Sequence, residues 1–245
     1  MGRCIDVRKK RGIAVLVVLF FLLGAGCIWY VNNYYRSDES VQQYLQESGS
    51  VKIEEIKNGL FIDGPQNENA LIFYPGAKVE YTAYVPLLYQ IAENGMDVFL
   101  IKMPCNLAFL GMNRADDVIE NYEYSHWYLG GHSLGGAMAA AYSSEHMAYL
   151  DGLVLLAAYP IKSLQAEGFC VVSLYGSEDG VLNMEKMEQG KKYMPDAYAE
   201  ICIQGGNHAQ FGNYGMQKND GMPTISREEQ QNQTVREICK MINAN

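Results

Sequence analysis

The sequence predicts an α/β domain built on a mainly parallel sheet with helices on both faces, preceded by an apolar N-terminal helix. Three observations carry this. Short apolar runs alternate with helix-period segments from residue 70 onward, with short connections. A glycine-rich turn at 130–136 joins one apolar run to a helix of small residues. Residues 13–31 (IAVLVVLFFLLGAGCIWYV) contain no charged residue.

That uncharged run would span about 28 Å as a helix, close to the hydrocarbon thickness of a bilayer. Arg3, Arg8, Lys9, Lys10 and Arg11 precede it, while Trp29, Tyr30, Tyr34 and Tyr35, at and just beyond its C-terminal end, read as an interfacial belt. The positive-inside rule then keeps residues 1–12 in the cytoplasm and places everything after the anchor outside. Two alternatives stay open. Residues 13–23 also suit a signal-peptide core with Gly24-Ala25-Gly26 for cleavage, and Cys27 suits lipidation, although Gly24 stands where that motif wants Leu. All three put the body outside the cytoplasm.

The net charge of −9 is unevenly spread, because five of the 19 basic residues sit in the head. The acidic body argues against nucleic-acid binding, which wants a basic face. Cys105, Cys170, Cys202 and Cys239 are scattered singly, and no Cys/His spacing suggests a metal site. Cys170 and Cys202 read as small hydrophobes within strands. A disulfide stays open at this point.

Taken in order, residues 32–50 are polar and read as a linker or short helix. Residues 51–64 alternate around Asn58-Gly59 as a hairpin. Strands are expected at 70–74, 97–101, 127–129, 152–157, 168–175 and 198–203. Helices are expected at 81–94, 113–122, 137–141, 181–193 and 226–242. No internal repeat appears, and one domain over 51–245 accounts for the body.

The stretch 127–142 (WYLGGHSLGGAMAAAY) organises the rest. Gly131, Ser133 and Gly135 hold the places of a G-x-S-x-G nucleophile elbow. A side chain two residues before or after the serine would collide with facing backbone. The turn pushes the Ser133 hydroxyl outward and aims the Leu134 N–H at charge developing on a substrate.

At this point the chain resembles the α/β-hydrolase superfamily, on three ordered motifs, GHSLGG, GSEDG and GGNH. The resemblance implies the α/β-hydrolase fold from about residue 70 onward and a Ser–acid–His triad in that chain order. Of four histidines, His126 and His132 precede Ser133, and His146 rides the helix leaving the elbow. His208 remains as the base. The acid is expected after the penultimate strand, where Asp179 stands, with neighbouring Glu178 as the alternative. The second oxyanion donor is expected from the loop after strand 70–74, with the Ala77 N–H in that role. Lys78 is either solvated or placed to meet an anionic substrate group, and residues 103–107 are expected to line the pocket, with packing an equally good reading for Cys105 and Asn106.

The compact build without a cap is similar to the dienelactone-hydrolase-like branch, whose members use a cysteine nucleophile where Ser133 stands here. The expectation is therefore a membrane-anchored, extracytoplasmic serine hydrolase without cofactor, acting on a small ester. A peptidase, amidase or thioesterase on the same triad is the alternative, as is a non-catalytic tethered binding module. Only about ten residues join strands 152–157 and 168–175, too few for a helical lid, so an open site for short acyl groups is expected. Residues 211–223 read as a mobile flap over it.

Overall fold

The computed structural model describes residues 2–46, 49–65 and 68–243, with side chains at 13 and from 16 onward, Gln46 excepted. It divides into two compact units, Met1–Tyr34 and Tyr35–Asn245.

The first unit is the helix α1, Gly2–Asn32. Its described apolar side chains, from Leu16 through Phe20 and Phe21 to Trp29, are exposed. The basic cluster, Ala14 and Val15 lie outside the described side chains. Among the described residues no helix is long and apolar enough to cross a membrane.

The second unit begins earlier than residue 51. Tyr35 pairs with Val79, and the short helix α2, Val41–Gln46, buries Val41 completely. The stretch expected as a linker is thus built into the domain from Tyr35 on. A polar composition hid one buried valine and a backbone pairing.

An antiparallel hairpin follows, β1 (Lys52–Ile56) and β2 (Gly59–Asp63), turning at Lys57-Asn58. The remaining strands are β3 (Asn69–Tyr74), β4 (Asp97–Ile101), β5 (His126–His132), β6 (Gly152–Leu156), β7 (Cys170–Gly176) and β8 (Ala197–Ile203). The eight form one sheet in the order β1-β2-β4-β3-β5-β6-β7-β8. From β4 across to β8 every pairing is parallel, as the alternation of strand and helix requires.

Period-two alternation divides each central strand between two cores. On β3, Leu71 and Phe73 join the layer holding α3 (Val85–Glu93) and α7 (Arg227–Asn243). Ala70, Ile72 and Tyr74 join the other layer, with α4 (Arg114–Ile119) and α5 (Leu134–His146). Burial of these strands on both faces is the main term holding the domain together, at about 25 cal/mol per Å² of apolar area.

Three helices depart from expectation. The segment 81–94 is a 3-10 turn, Tyr81–Tyr84, followed by α3, because Pro86 favours a fresh first turn. Helix α4 ends at Ile119. The helix expected from 181 starts only at Met184 (α6, Met184–Gly190), capped by the Asn183 side chain, which accepts the Lys186 N–H at 2.9 Å. Residues 181 and 182 are drawn into the acid loop instead.

Candidate active site

All the functional side chains named above stand in loops at one edge of the sheet, where the parallel strands end. Ser133 lies between β5 and α5 with φ 53° and ψ −122°, a left-handed backbone that a non-glycine residue adopts only when its surroundings force it. What forces it is the pairing on either side. The Ser133 N–H donates to the Leu156 carbonyl at 2.8 Å, while its carbonyl already accepts the Ala137 N–H of α5 at 3.0 Å. The flanking glycines are needed because strand and helix touch. A Cβ on Gly131 would lie 2.6 Å from the Gly135 backbone, and one on Gly135 would lie 2.2 Å from the Tyr74 carbonyl oxygen.

His208 follows β8. Its Nδ1–H donates to Asp179 Oδ2 at 2.8 Å, with both side chains buried. Asp179 Oδ1 accepts the N–H groups of Val181 and Leu182 at 2.8 and 2.7 Å. Each carboxylate oxygen is therefore occupied, and the imidazole is fixed with its proton on Nδ1. Nε2 is left as an acceptor, buried and with no hydrogen-bond partner among the described residues. Glu178 points elsewhere: it is exposed and accepts the neighbouring Ser177 hydroxyl.

Ser133 and His208 line one cavity of about 240 Å³, with Leu134, Ala157, Ala158, Tyr159, Val181 and Leu182 among its walls. Larger clefts exist, such as one of about 660 Å³ beside Gly168 and Pro195, but it opens where β7 and β8 begin, at the opposite edge. The N–H groups of Leu134 and Ala77 have no partner among the described residues. Residues 103–107 do not line the cavity. They support the 76–78 loop, Asn106 accepting the Lys78 N–H at 2.8 Å through a backbone in which Cys105 and Asn106 both have φ 54°.

The other histidines are accounted for. His126 is exposed beside Asp151, and His146 stacks on Tyr142 while bonding the Tyr142 carbonyl. His132, part of the elbow motif, is wholly buried, its ring centre 4.5 Å from that of His208. Its Nδ1 is 2.7 Å from the hydroxyl of buried Tyr84. Burial first, and then the proximity of His208, hold its pKa well below that of a free histidine; the His208 backbone acts weakly the other way. Among the described residues no disulfide links the cysteines, and no cluster of His, Cys, Asp and Glu could hold a metal ion.

The stretch 211–223 is tied down rather than free. Asp220 Oδ1 accepts the N–H groups of Gly180 at 3.1 Å and His208 at 3.2 Å, and Oδ2 that of Ala209 at 2.8 Å. The Asn207 amide donates to the Gly221 carbonyl at 2.9 Å. Glycines and polar residues here form specific bonds, which composition alone does not distinguish from a flap.

The alpha/beta hydrolase family model matches residues 70–232. The chain belongs to that family. Among solved structures it is similar to Est1E from Butyrivibrio proteoclasticus, with a TM-score of 0.54, 13% identity, and 80% of this chain and 100% of that chain covered. It is similar to carboxyl esterase 2 from the mycorrhizal fungus Tuber melanosporum, with a TM-score of 0.55, 10% identity, and 85% and 91% covered. A bacterial membrane phospholipase A, described as a virulence factor, gives a TM-score of 0.56 at 11% identity, with 94% and 99% covered. At such identities the likeness is one of fold. A search of the curated proteins found no match.

Proposed function

We infer that this chain is a serine hydrolase of carboxylic esters, held at a membrane by α1 with its catalytic domain outside the cytoplasm. One observation carries the chemistry. The buried Asp179–His208 pair leaves Nε2 unpartnered at the wall of the cavity that Ser133 also lines. Ser133 Oγ attacks the ester carbonyl carbon as its proton passes to His208 Nε2. The resulting oxyanion is held by the Leu134 and Ala77 N–H groups, each donor worth about 3 kcal/mol. Collapse of the tetrahedral adduct breaks the C–O bond, and the departing alcohol takes the proton from His208. Water then repeats the sequence on the acyl-enzyme and releases the acid. Asp179 holds the imidazole in the right tautomer and offsets its transient charge.

A small acyl group suits the small apolar walls, and the carboxyl esterase from Tuber melanosporum, an ester hydrolase by name, shares the fold. Anchoring is supported by the uncharged run at residues 13–31, which includes positions outside the described side chains, and by the basic residues before it. The bacterial membrane phospholipase A shares the fold. A fluorophosphonate probe tests the chemistry. It should label the wild-type chain at Ser133 and leave folded Ser133→Ala unlabelled; equal labelling of the variant rejects the assignment. Protease added to intact cells tests the topology, since an exposed domain is removed and a protected one rejects the orientation.

A further inference from the structure

We propose that Tyr84 and His132 are a buried positioning pair that joins the oxyanion loop to the catalytic base, an inference that rests on the hydrolase reading above. The chain of contacts is continuous. The Gly76 N–H donates to Tyr84 Oη at 3.0 Å, and Tyr84 Oη lies 2.7 Å from His132 Nδ1. The His132 ring then packs against His208, and Phe211 is also near it at 5.7 Å between ring centres. Gly76 precedes Ala77, so the loop that offers the second oxyanion donor is held by the Tyr84 hydroxyl.

Proton counting fixes the direction of each bond. Tyr84 has one proton to give, and burial pushes its pKa up, so it stays a phenol. Because Gly76 already donates to its oxygen, that proton goes to His132 Nδ1. His132 must then carry its own proton on Nε2, which is buried with no hydrogen-bond partner among the described residues. The titratable groups facing the ring are Tyr84 and His208. Neither offers a negative charge that would stabilise an imidazolium there. A second positive charge so close to His208 would oppose the imidazolium that His208 becomes during acyl transfer. The pair therefore places a neutral ring behind the base and keeps it neutral.

Space confirms how closely the parts are fitted. A Cβ at position 76 would lie 2.8 Å from both His132 Nδ1 and Tyr84 Oη. Two bonds and a ring contact thus set the relative position of the oxyanion loop and the base. Such relative position matters in the transition state more than in substrate binding.

Nitrogen NMR of the full-length chain carrying ¹⁵N-histidine, in detergent, reads the tautomer without reference to turnover. The expected result is a His132 with bare Nδ1 and protonated Nε2, unchanged between about pH 5 and 8, where an ordinary histidine titrates. A His132 protonated on Nδ1, or titrating in that window, overturns the proposal. Tyr84→Phe should lower kcat by about 10- to 100-fold while KM stays within about 2-fold. Wild-type kcat in that variant overturns the proposal too. His132→Asn, which keeps an acceptor near Nδ1, should retain more kcat than His132→Leu. Equal loss in both would reduce the ring to filler and reject the role. If both position-132 variants fail to fold, the spectrum and Tyr84→Phe still decide. Failure of Ser133 labelling would remove the hydrolase reading while leaving the tautomer measurement intact, so the two fail separately.

Discussion

The Asp220 carboxylate accepts the backbone N–H of His208, and through its other bonds it ties that residue's loop to the one carrying Asp179. A carboxylate receiving several N–H groups makes charge-assisted bonds, each stronger than a neutral one. Asp220→Ala leaves those donors without their acceptor. The expected cost is about 2–3 kcal/mol of stability together with a lower kcat. Urea unfolding and steady-state kinetics on the same sample check both. Unchanged values would show the loops to be held elsewhere.

His208→Ala should lose on the order of 10⁶-fold in kcat, and Asp179→Asn on the order of 10⁴-fold. In the proposed mechanism the histidine moves the proton, whereas the acid sets its tautomer. Glu178→Gln should behave as wild type, because among the described residues that carboxylate bonds only its own neighbour's hydroxyl. An inactive Glu178→Gln beside an active Asp179→Asn would reverse the assignment.

His132 also predicts a dependence of stability on pH. Its folded pKa lies well below 6.5, first through burial and then through His208. The unfolded chain therefore binds a proton there that the folded chain refuses, and stability rises with pH. The contribution is complete above about pH 6.5 and is lost as pH falls towards the depressed folded value, at about 1.4 kcal/mol per unit. Denaturant unfolding at pH 7.5 and 5.5 should show a steeper fall for wild type than for His132→Asn. Equal slopes would mean that the buried ring takes up its proton.

The cavity beside Ser133 is small and walled by Ala157, Ala158, Val181 and Leu182. Each acyl methylene that fits contributes about 0.8 kcal/mol, and each that does not stays in water. Across p-nitrophenyl esters, kcat/KM should therefore peak at short acyl chains and fall beyond them. Ala158→Leu should move the peak shorter still. Rates that climb steadily to long chains would show that the acyl group lies outside this cavity.

Most of the sheet was legible because each central strand is an apolar run bounded by turn residues, and the elbow because glycine spacing has a steric cause. Chain order singles out Asp179 and His208 once the elbow is placed, and the structure brings these two side chains into contact. Other parts depend on contacts far apart in sequence. Tyr84 reads as one more apolar position on a helical face, yet its hydroxyl meets residues 76 and 132. His132 looks like a motif filler until its burial is known. Asp220 sits among glycines and polar residues with nothing local to mark it, and Asp179 shortened a helix by drawing off two N–H groups. Tyr35 and Val41 sit in a polar segment, where their partners at Val79 and in the core are invisible to any local pattern.

That early segment has a consequence for the proposed membrane-held form, should a protease cut near it. The Asp38 N–H donates to the Asn213 carbonyl, Ser40 accepts the Asn213 amide, and Tyr35 accepts the Lys218 N–H. Asp38 also pairs with Arg227. Residues 35–40 thus brace the stretch that leads to Asp220, while Tyr35 pairs beside the oxyanion loop. A protease that released the body by cutting before Tyr35 would liberate a competent enzyme. One that cut a few residues later would shed the brace and, with it, the alignment of both catalytic loops. The place of shedding would decide whether a freed domain is an active product or a spent one.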